Sequence, residues 1–152
     1  MSIYGGISQC KIRQVQVIGM KRWLSLFLFG AAGALCRQLI SIGTQHFYPY
    51  GTESFPWSTW ICNIIGCGVL GYLTGKFLTD RSSLWLREGL TVGLIGAFTT
   101  FSAFSMETFV LMEHNRYDMA VLYSGSSFIA GWTCTYFGIR WGTPGKNASH
   151  AD

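Results

Sequence analysis

Apolar residues along this chain gather into four long runs separated by short polar links. The runs cover about 23–42, 56–77, 88–112 and 117–141. Crossing about 30 Å of hydrocarbon as a helix takes about 20 mostly apolar residues, so the pattern predicts four transmembrane helices. The second run has no charge between Glu53 and Lys76, and its Pro56 stands where a helix start accepts proline. The links are 43–55 with Pro49 and Gly51, 78–87 with Asp80 and Arg81, and 113–116. Links this short force neighbouring helices to run antiparallel. The Gly-xxx-Gly spacing of Gly71 with Gly75 and of Gly89 with Gly93 predicts close helix contacts, because small residues let backbones approach in lipid. Trp23, Trp57, Trp85 and Trp141 fall near run ends, as an aromatic belt at the two interfaces places them.

One stretch breaks this pattern. Residues 93–107 read Gly-Leu-Ile-Gly-Ala-Phe-Thr-Thr-Phe-Ser-Ala-Phe-Ser-Met-Glu. Thr99, Thr100, Ser102 and Ser105 bring polar atoms to membrane depth, and Gly93 and Gly96 weaken the helix just before them. Unsatisfied backbone at that depth is tolerated only when it lines a cavity or is buried in protein. The stretch therefore reads as a site. Phe98, Phe101 and Phe104 are three apart and share a helical stripe. They suit ordinary packing, and they equally suit an anion, because the edge of a phenyl ring carries positive potential.

Other polar groups are few. Asn63 is the one carboxamide inside the second run, and Thr59 shares its face. An unpaired amide in lipid costs several kcal/mol, so Asn63 either joins helices or coordinates something that passes. On the fourth run Tyr123, Ser127 and Thr135 draw a hydroxyl line, with Gly131 in the gap. Arg37 and Glu107, each near the end of its apolar stretch, are the ionisable residues deepest in the runs. Arg37 has snorkelling or pairing as an alternative to a role in transport.

Composition narrows the class. The chain has 152 residues, 49% hydrophobic and 12% charged, against about 25% charged in an ordinary soluble domain. Four spans leave no room for a soluble catalytic domain. No Ser/His/Asp, Cys/His or paired-carboxylate set appears, and His46, His114 and His150 lie outside the spans, so nothing points to an enzyme. Cys10, Cys36, Cys62, Cys67 and Cys134 are scattered, four of them in apolar segments, and read as small packing residues. The net charge of +4 comes from Lys and Arg at segment ends and makes no case for nucleic acid. Residues 1–19 lack the apolar core of a secretory signal, and Met20-Lys21-Arg22 reads as a second start, so this leader is expected to be dispensable. The domain is then 20–141, and 142–152 is expected to be a disordered polar tail. Asn147-Ala-Ser149 in that tail matches a glycosylation acceptor by chance.

At this point the chain resembles the small fluoride channels called Fluc or CrcB, over roughly 20–141. Four elements carry the resemblance in order. Gly30-Ala-Ala-Gly33-Ala-Leu-Cys-Arg37 is similar to the family's glycine-rich first helix. Thr59-Trp-Ile-Cys-Asn63 followed by Gly66 is similar to its Thr-x-x-x-Asn signature, with Ser58 where glycine is usual. Residues 93–107 resemble its most specific motif, with Ala97 in place of the second paired glycine and Ala103 in place of a hydroxyl residue. The fourth run resembles its polar track, with Gly131 where a hydroxyl is usual.

The resemblance implies an all-α integral membrane protein of the cell membrane, with four transmembrane helices, the third broken mid-membrane. It implies an antiparallel, dual-topology homodimer with two fluoride pores and one structural sodium ion. Gly96 and Thr99 fall where backbone carbonyls hold the sodium. Phe101 and Phe104 match the phenylalanines whose edges face fluoride, Asn63 matches the pore asparagine, and Thr59, Ser102, Ser127 and Thr135 match polar neighbours of the path. Nine Lys and Arg (Lys11, Arg13, Lys21, Arg22, Lys76, Arg81, Arg87, Arg140 and Lys146) lie on the side of the termini against Arg37 and Arg116 on the other. The positive-inside rule then favours cytoplasmic termini. Either the bias is too weak to fix insertion, or the chain pairs with an oppositely oriented homologue. Three functions compete: a passive fluoride channel, a small proton-coupled exporter that titrates Glu107, and a scaffold that carries nothing.

Overall fold

A computed structural model describes residues 4–47, 54–78 and 82–143, with side chains from residue 19 onward. All regular structure among these residues is helical: α1 (Tyr4–Phe47), α2 (Trp57–Phe77), α3 (Leu84–Glu88), a π-helical segment (Gly89–Ile95), α4 (Gly96–Phe98), α5 (Phe101–Glu113) and α6 (Tyr117–Gly142). Two stretches, Gly19–Phe47 and Leu84–Glu113, are long and apolar enough to cross a membrane by length and composition. Helices α2 and α6 hold 21 and 26 residues. At 1.5 Å per residue they are about 32 and about 39 Å long, comparable with the hydrocarbon thickness.

Apolar side chains face outward. Phe27, Leu35, Leu39, Val121, Phe128 and Trp132 are exposed, whereas the buried cluster is small and centres on Leu111, Ala120 and Tyr123. Such a surface suits lipid, where helices associate by close packing instead of by hiding oil from water.

That packing runs through glycine. Gly71 and Gly75 of α2 lie against the Thr135 and Ile139 carbonyls of α6, and Gly138 and Gly142 of α6 lie against the Gly68 and Tyr72 carbonyls of α2. The rising numbers on both sides show that α2 and α6 run parallel. In the same way α1 runs parallel to the third hydrophobic stretch, with Gly89 and Gly93 against Ser25, Leu26 and Phe29, and Gly33 against the Leu94 carbonyl. The predicted Gly-xxx-Gly pairs therefore sit in helix contacts, and so does a third, Gly138 with Gly142. Between these two layers the chain reverses, since Thr59 meets Glu107 and Asn63 meets Thr100. A methyl on Gly138 would stand 2.9 Å from the Tyr72 nitrogen and closer still to the Gly68 carbonyl, whereas one on Gly125 meets nothing within 4 Å. Gly138→Ala is expected to cost about 1–3 kcal/mol through overpacking. Gly125→Ala is expected to leave the melting temperature in detergent unchanged or raised, which a paired thermal unfolding measurement checks.

Helix limits differ from the apolar runs in an instructive way. Helix α1 continues past residue 42, through Gly43 to Phe47, and Thr44 Oγ1 donates to the Ile40 and Ser41 carbonyls at 2.9 and 3.0 Å. No described glycine takes a positive φ, so Gly43 does not act as a stop. The backbone of α1 is also unbroken across residues 19 and 20. The third stretch begins at Leu84, ahead of residue 88, because Ser83 is extended and Leu84, Trp85 and Leu86 already suit a helix. Between α5 and α6, Asn115 takes φ 59°, a left-handed conformation that asparagine tolerates. Pro49, Gly51, Asp80, Arg81 and the tail with Asn147 and Ser149 lie outside the described residues.

An ion pair missed in the sequence ties the two parallel elements at one end. Arg22 Nε donates to Glu88 Oε2 at 2.7 Å and Arg22 Nη2 to Glu88 Oε1 at 2.5 Å. The buried Ser25 hydroxyl donates to the Trp85 carbonyl at 2.9 Å beside them. A bidentate fork of this kind fixes register as well as contact. A separation of 66 positions hid it from local spacing arguments.

Candidate functional site

The site is built around an interruption of the helix. Phe98 ends α4, Thr99 is extended (φ −85°, ψ 156°), and so is Thr100 (φ −148°, ψ 121°) before α5 starts at Phe101. Thr100 starts the new helix as its N-cap, with Oγ1 accepting from the Ala103 N–H at 3.2 Å. Across the gap Asn63 bonds both backbone groups of Thr100. Its Nδ2 donates to the Thr100 carbonyl at 3.0 Å, and its Oδ1 accepts from the Thr100 N–H at 2.8 Å. Beside it Gly66 leaves room for the Thr99 methyl, where any added side chain would collide.

This stapling redirects two hydrogen bonds. In a continuous helix the Thr100 N–H would donate to the Gly96 carbonyl and the Ala103 N–H to the Thr99 carbonyl. The first now goes to Asn63 and the second to the Thr100 hydroxyl. The Gly96 and Thr99 carbonyls thereby lose their helical donors, and Gly96 is exposed on the surface of the single chain. Among the described residues no group of three His, Cys, Asp or Glu is placed to hold a metal. A hard cation here would be held by backbone oxygens.

One turn and a half further on, α2, α5 and α6 meet at a carboxylate. Thr59 Oγ1 donates to Glu107 Oε1 and the Tyr123 hydroxyl to Glu107 Oε2, both at 2.7 Å. Thr59 and Tyr123 are buried, and Glu107 is half-buried in the middle of α5, well inside the position that the end of its motif suggested. The Phe104 ring lies 5.1 Å from that of Tyr123, and the Phe55 ring meets Tyr123 edge-on at 5.4 Å. Phe101 is 79% exposed, with its ring 5.9 Å from that of Phe104. A cleft of about 520 Å³ opens on this region, and Arg37, Thr59, Ser102 and Glu107 line it together with Ser41 and the buried Ser58. Helix α1 continues ten residues beyond Arg37, which places that guanidinium along the cleft wall and away from a helix end.

Some expected members stand apart. Phe98 is buried against Gly66 and does not share a stripe with Phe101, because the interruption falls between them. Thr135 donates to the Gly131 carbonyl at 2.9 Å and lies 3.4 Å from the Cys67 carbonyl, so its hydroxyl serves the α2–α6 contact. Gly131 itself faces Cys67 Sγ. Ser127 is half-buried on α6 and is not among the cleft residues. A contact that spacing did not reveal is Trp60 Nε1 donating to Ser126 Oγ at 3.2 Å, with Ser126 in turn donating to the Tyr123 carbonyl.

The family model described as CrcB-like protein, Camphor Resistance (CrcB), matches residues 24–139, which include every residue of this site. The chain belongs to the CrcB family. Among relatives of this CrcB-family chain, the protein named fluoride-specific ion channel FluC 2 of Listeria monocytogenes is 40% identical over 118 residues, 76% of this chain and 86% of the relative. Fluoride-specific ion channel FluC of Phocaeicola vulgatus is 37% identical over 123 residues, 79% and 97% of the two chains. Fluoride-specific ion channel FluC 1 of Moorella thermoacetica is 37% identical over 119 residues, 77% and 82% of the two chains. The family and its apolar helices make this a membrane protein.

Proposed function

We propose that the chain is a fluoride-selective ion channel, through which fluoride leaves the cytoplasm passively down its electrochemical gradient. The names of its relatives support the ion. The observation that carries the mechanism is the interrupted helix, which sets Phe101 and Phe104 at the start of a new helix beside the Ser102 hydroxyl, while the Thr59 and Tyr123 hydroxyls give their protons to Glu107 in hydrogen bonds. Fluoride is small and strongly hydrated, so a narrow pore must replace its water with donors and positive ring edges, while width excludes larger halides. Asn63 is assigned to hold the interruption open, and its two bonds to Thr100 support that role over direct contact with the ion along the chain described.

Phe101 lies exposed, the cleft is open and Gly96 is bare on the same chain, so the site is incomplete alone. A second copy in antiparallel, dual-topology packing completes it, as a homodimer in the inner or plasma membrane with four spans per chain. If the Lys and Arg bias fixes insertion, the second copy is an oppositely oriented homologue. The Gly96 and Thr99 carbonyls of each partner would together hold one sodium ion, which supplies positive potential where the ligands themselves are uncharged. Ser127 and Thr135 are assigned to the far end of the path, and Arg37 to its mouth.

The exporter reading is less well supported, because Glu107 is pinned by donors from two different helices. Efflux of fluoride and of chloride from liposomes under a fixed membrane potential tests the choice. A channel predicts fluoride efflux that persists in Glu107→Gln at every pH, though slowed by the altered hydrogen bonds to Thr59 and Tyr123. An exporter predicts that this variant is silent.

A further inference from the structure

A second concavity lies at the opposite end of α2 from the polar cleft and shares no lining residue with it. It is an apolar groove of about 550 Å³ between the C-terminal halves of the parallel helices α2 and α6. Its floor is made by Gly68 and Gly138, which pack so closely that neither helix has a side chain to fill the space above them. Val69 and Tyr72 form one wall, and Phe137 and Trp141 the other. These four are exposed on the single chain. The volume falls in the range of about 300–1,000 Å³ of sites that take one small ligand.

Chemistry differs along the groove. At its inner end the lining carries no charged side chain. At its outer end Trp141 is 78% exposed, as an indole at the membrane interface is. Arg140, one residue before it and three after Phe137, is exposed in the last turn of α6. Lys76, four residues after Tyr72, adds a cationic group in the last turn of α2, and Gly142 packs beside the Lys76 backbone, so both charges sit at one end. A slot for hydrocarbon that ends in cationic groups has the shape and polarity of one lipid chain with its headgroup.

We propose that this groove binds one acyl chain of an anionic phospholipid, whose headgroup phosphate is held by Arg140. Phosphatidylcholine balances its phosphate with its own ammonium group, whereas phosphatidylglycerol presents net negative charge to the guanidinium. A second copy of the chain is the competing occupant. The proposed second copy has its place at the other end, where the open cleft and Phe101 are, which leaves this groove to lipid.

Native mass spectrometry of the purified full chain, titrated with phosphatidylglycerol or with phosphatidylcholine of the same chains, tests the proposal. One basic residue near a membrane surface is worth about fivefold in attraction to anionic lipid, so wild type should retain phosphatidylglycerol about fivefold better per engaged charge. Arg140→Gln should lower that preference about fivefold. Val69→Trp, which fills the groove from its exposed wall, should lower retention of both lipids. Equal retention of the two lipids by wild type, or a preference unchanged in Arg140→Gln, overturns the proposal. So does efficient chain-to-chain cross-linking through Cys134, which also lines the groove, by a short thiol-reactive linker. None of these readouts depends on fluoride movement, so failure of the channel assay and failure of this proposal are distinguishable.

Discussion

Replacing Phe101 or Phe104 by isoleucine is expected to slow fluoride efflux from liposomes about a hundredfold, equivalent to about 2.7 kcal/mol of added barrier. Isoleucine keeps apolar bulk and removes the ring, so what is lost is the positive edge that stands in for water around the ion. The two variants should differ in a second readout. Phe101 is 79% exposed and touches little but Phe104, so its loss should leave the melting temperature of the single chain's fold nearly unchanged. Phe104 packs on the fully buried Tyr123, and its replacement should also cost about 1 kcal/mol of stability through the lost aromatic pair. Efflux lost in both variants with stability lost in one separates a role in permeation from a role in packing. Efflux retained in Phe101→Ile would remove the ring edges from the mechanism.

Asn63→Leu is expected to damage fold and conduction together. Leucine has the same heavy-atom branching with bulkier ends, and it leaves the Thr100 N–H without its partner, whereas the Thr100 carbonyl keeps the first helical bond of α5. A backbone donor left unsatisfied costs about 1–3 kcal/mol, which is the expected loss. The relief available to the chain is to close the interruption, so that the Thr100 N–H returns to the Gly96 carbonyl. That would remove the free carbonyls and turn α5 about its axis, carrying Phe101 and Phe104 with it. Asn63→Asp sorts the two possible roles of the residue. A carboxylate still accepts from the Thr100 N–H and cannot donate to its carbonyl, so a staple retains part of its stability. If Asn63 served the ion alone, both variants would melt like wild type in detergent while efflux fell.

The apolar runs predicted helices, and all regular structure among the described residues is helical, with neighbouring stretches reversing as short links require. Gly71, Gly75, Gly89 and Gly93 also met neighbours as their spacing suggested, since a small-residue pair on a helix has few other uses in lipid. What spacing could not supply was anything on the far side of the interruption. The i, i+3 rule joined Phe98 to Phe101 and Phe104, yet two extended residues intervene, and Phe98 turns into the bundle against Gly66. Nor does local sequence reveal which group answers an interrupted backbone. Asn63 was visible as a costly amide in search of a partner, but that partner is main chain thirty-seven residues away. Glu107 looked peripheral near the end of the third run, and it sits in the middle of α5 because a new helix starts at Phe101. The Trp60–Ser126 and Arg22–Glu88 contacts had no signal at all in periodicity, because each depends on how two distant helices are rotated.

The central claim is that this chain conducts fluoride and rejects other halides. Reversal potential in a planar bilayer tests it most directly, with fluoride graded across the membrane and chloride equal on both sides. The predicted current reverses at the fluoride Nernst potential, and it keeps that reversal when chloride is raised on one side. A current that follows the chloride gradient, or well-folded protein that passes no fluoride current at all, contradicts it.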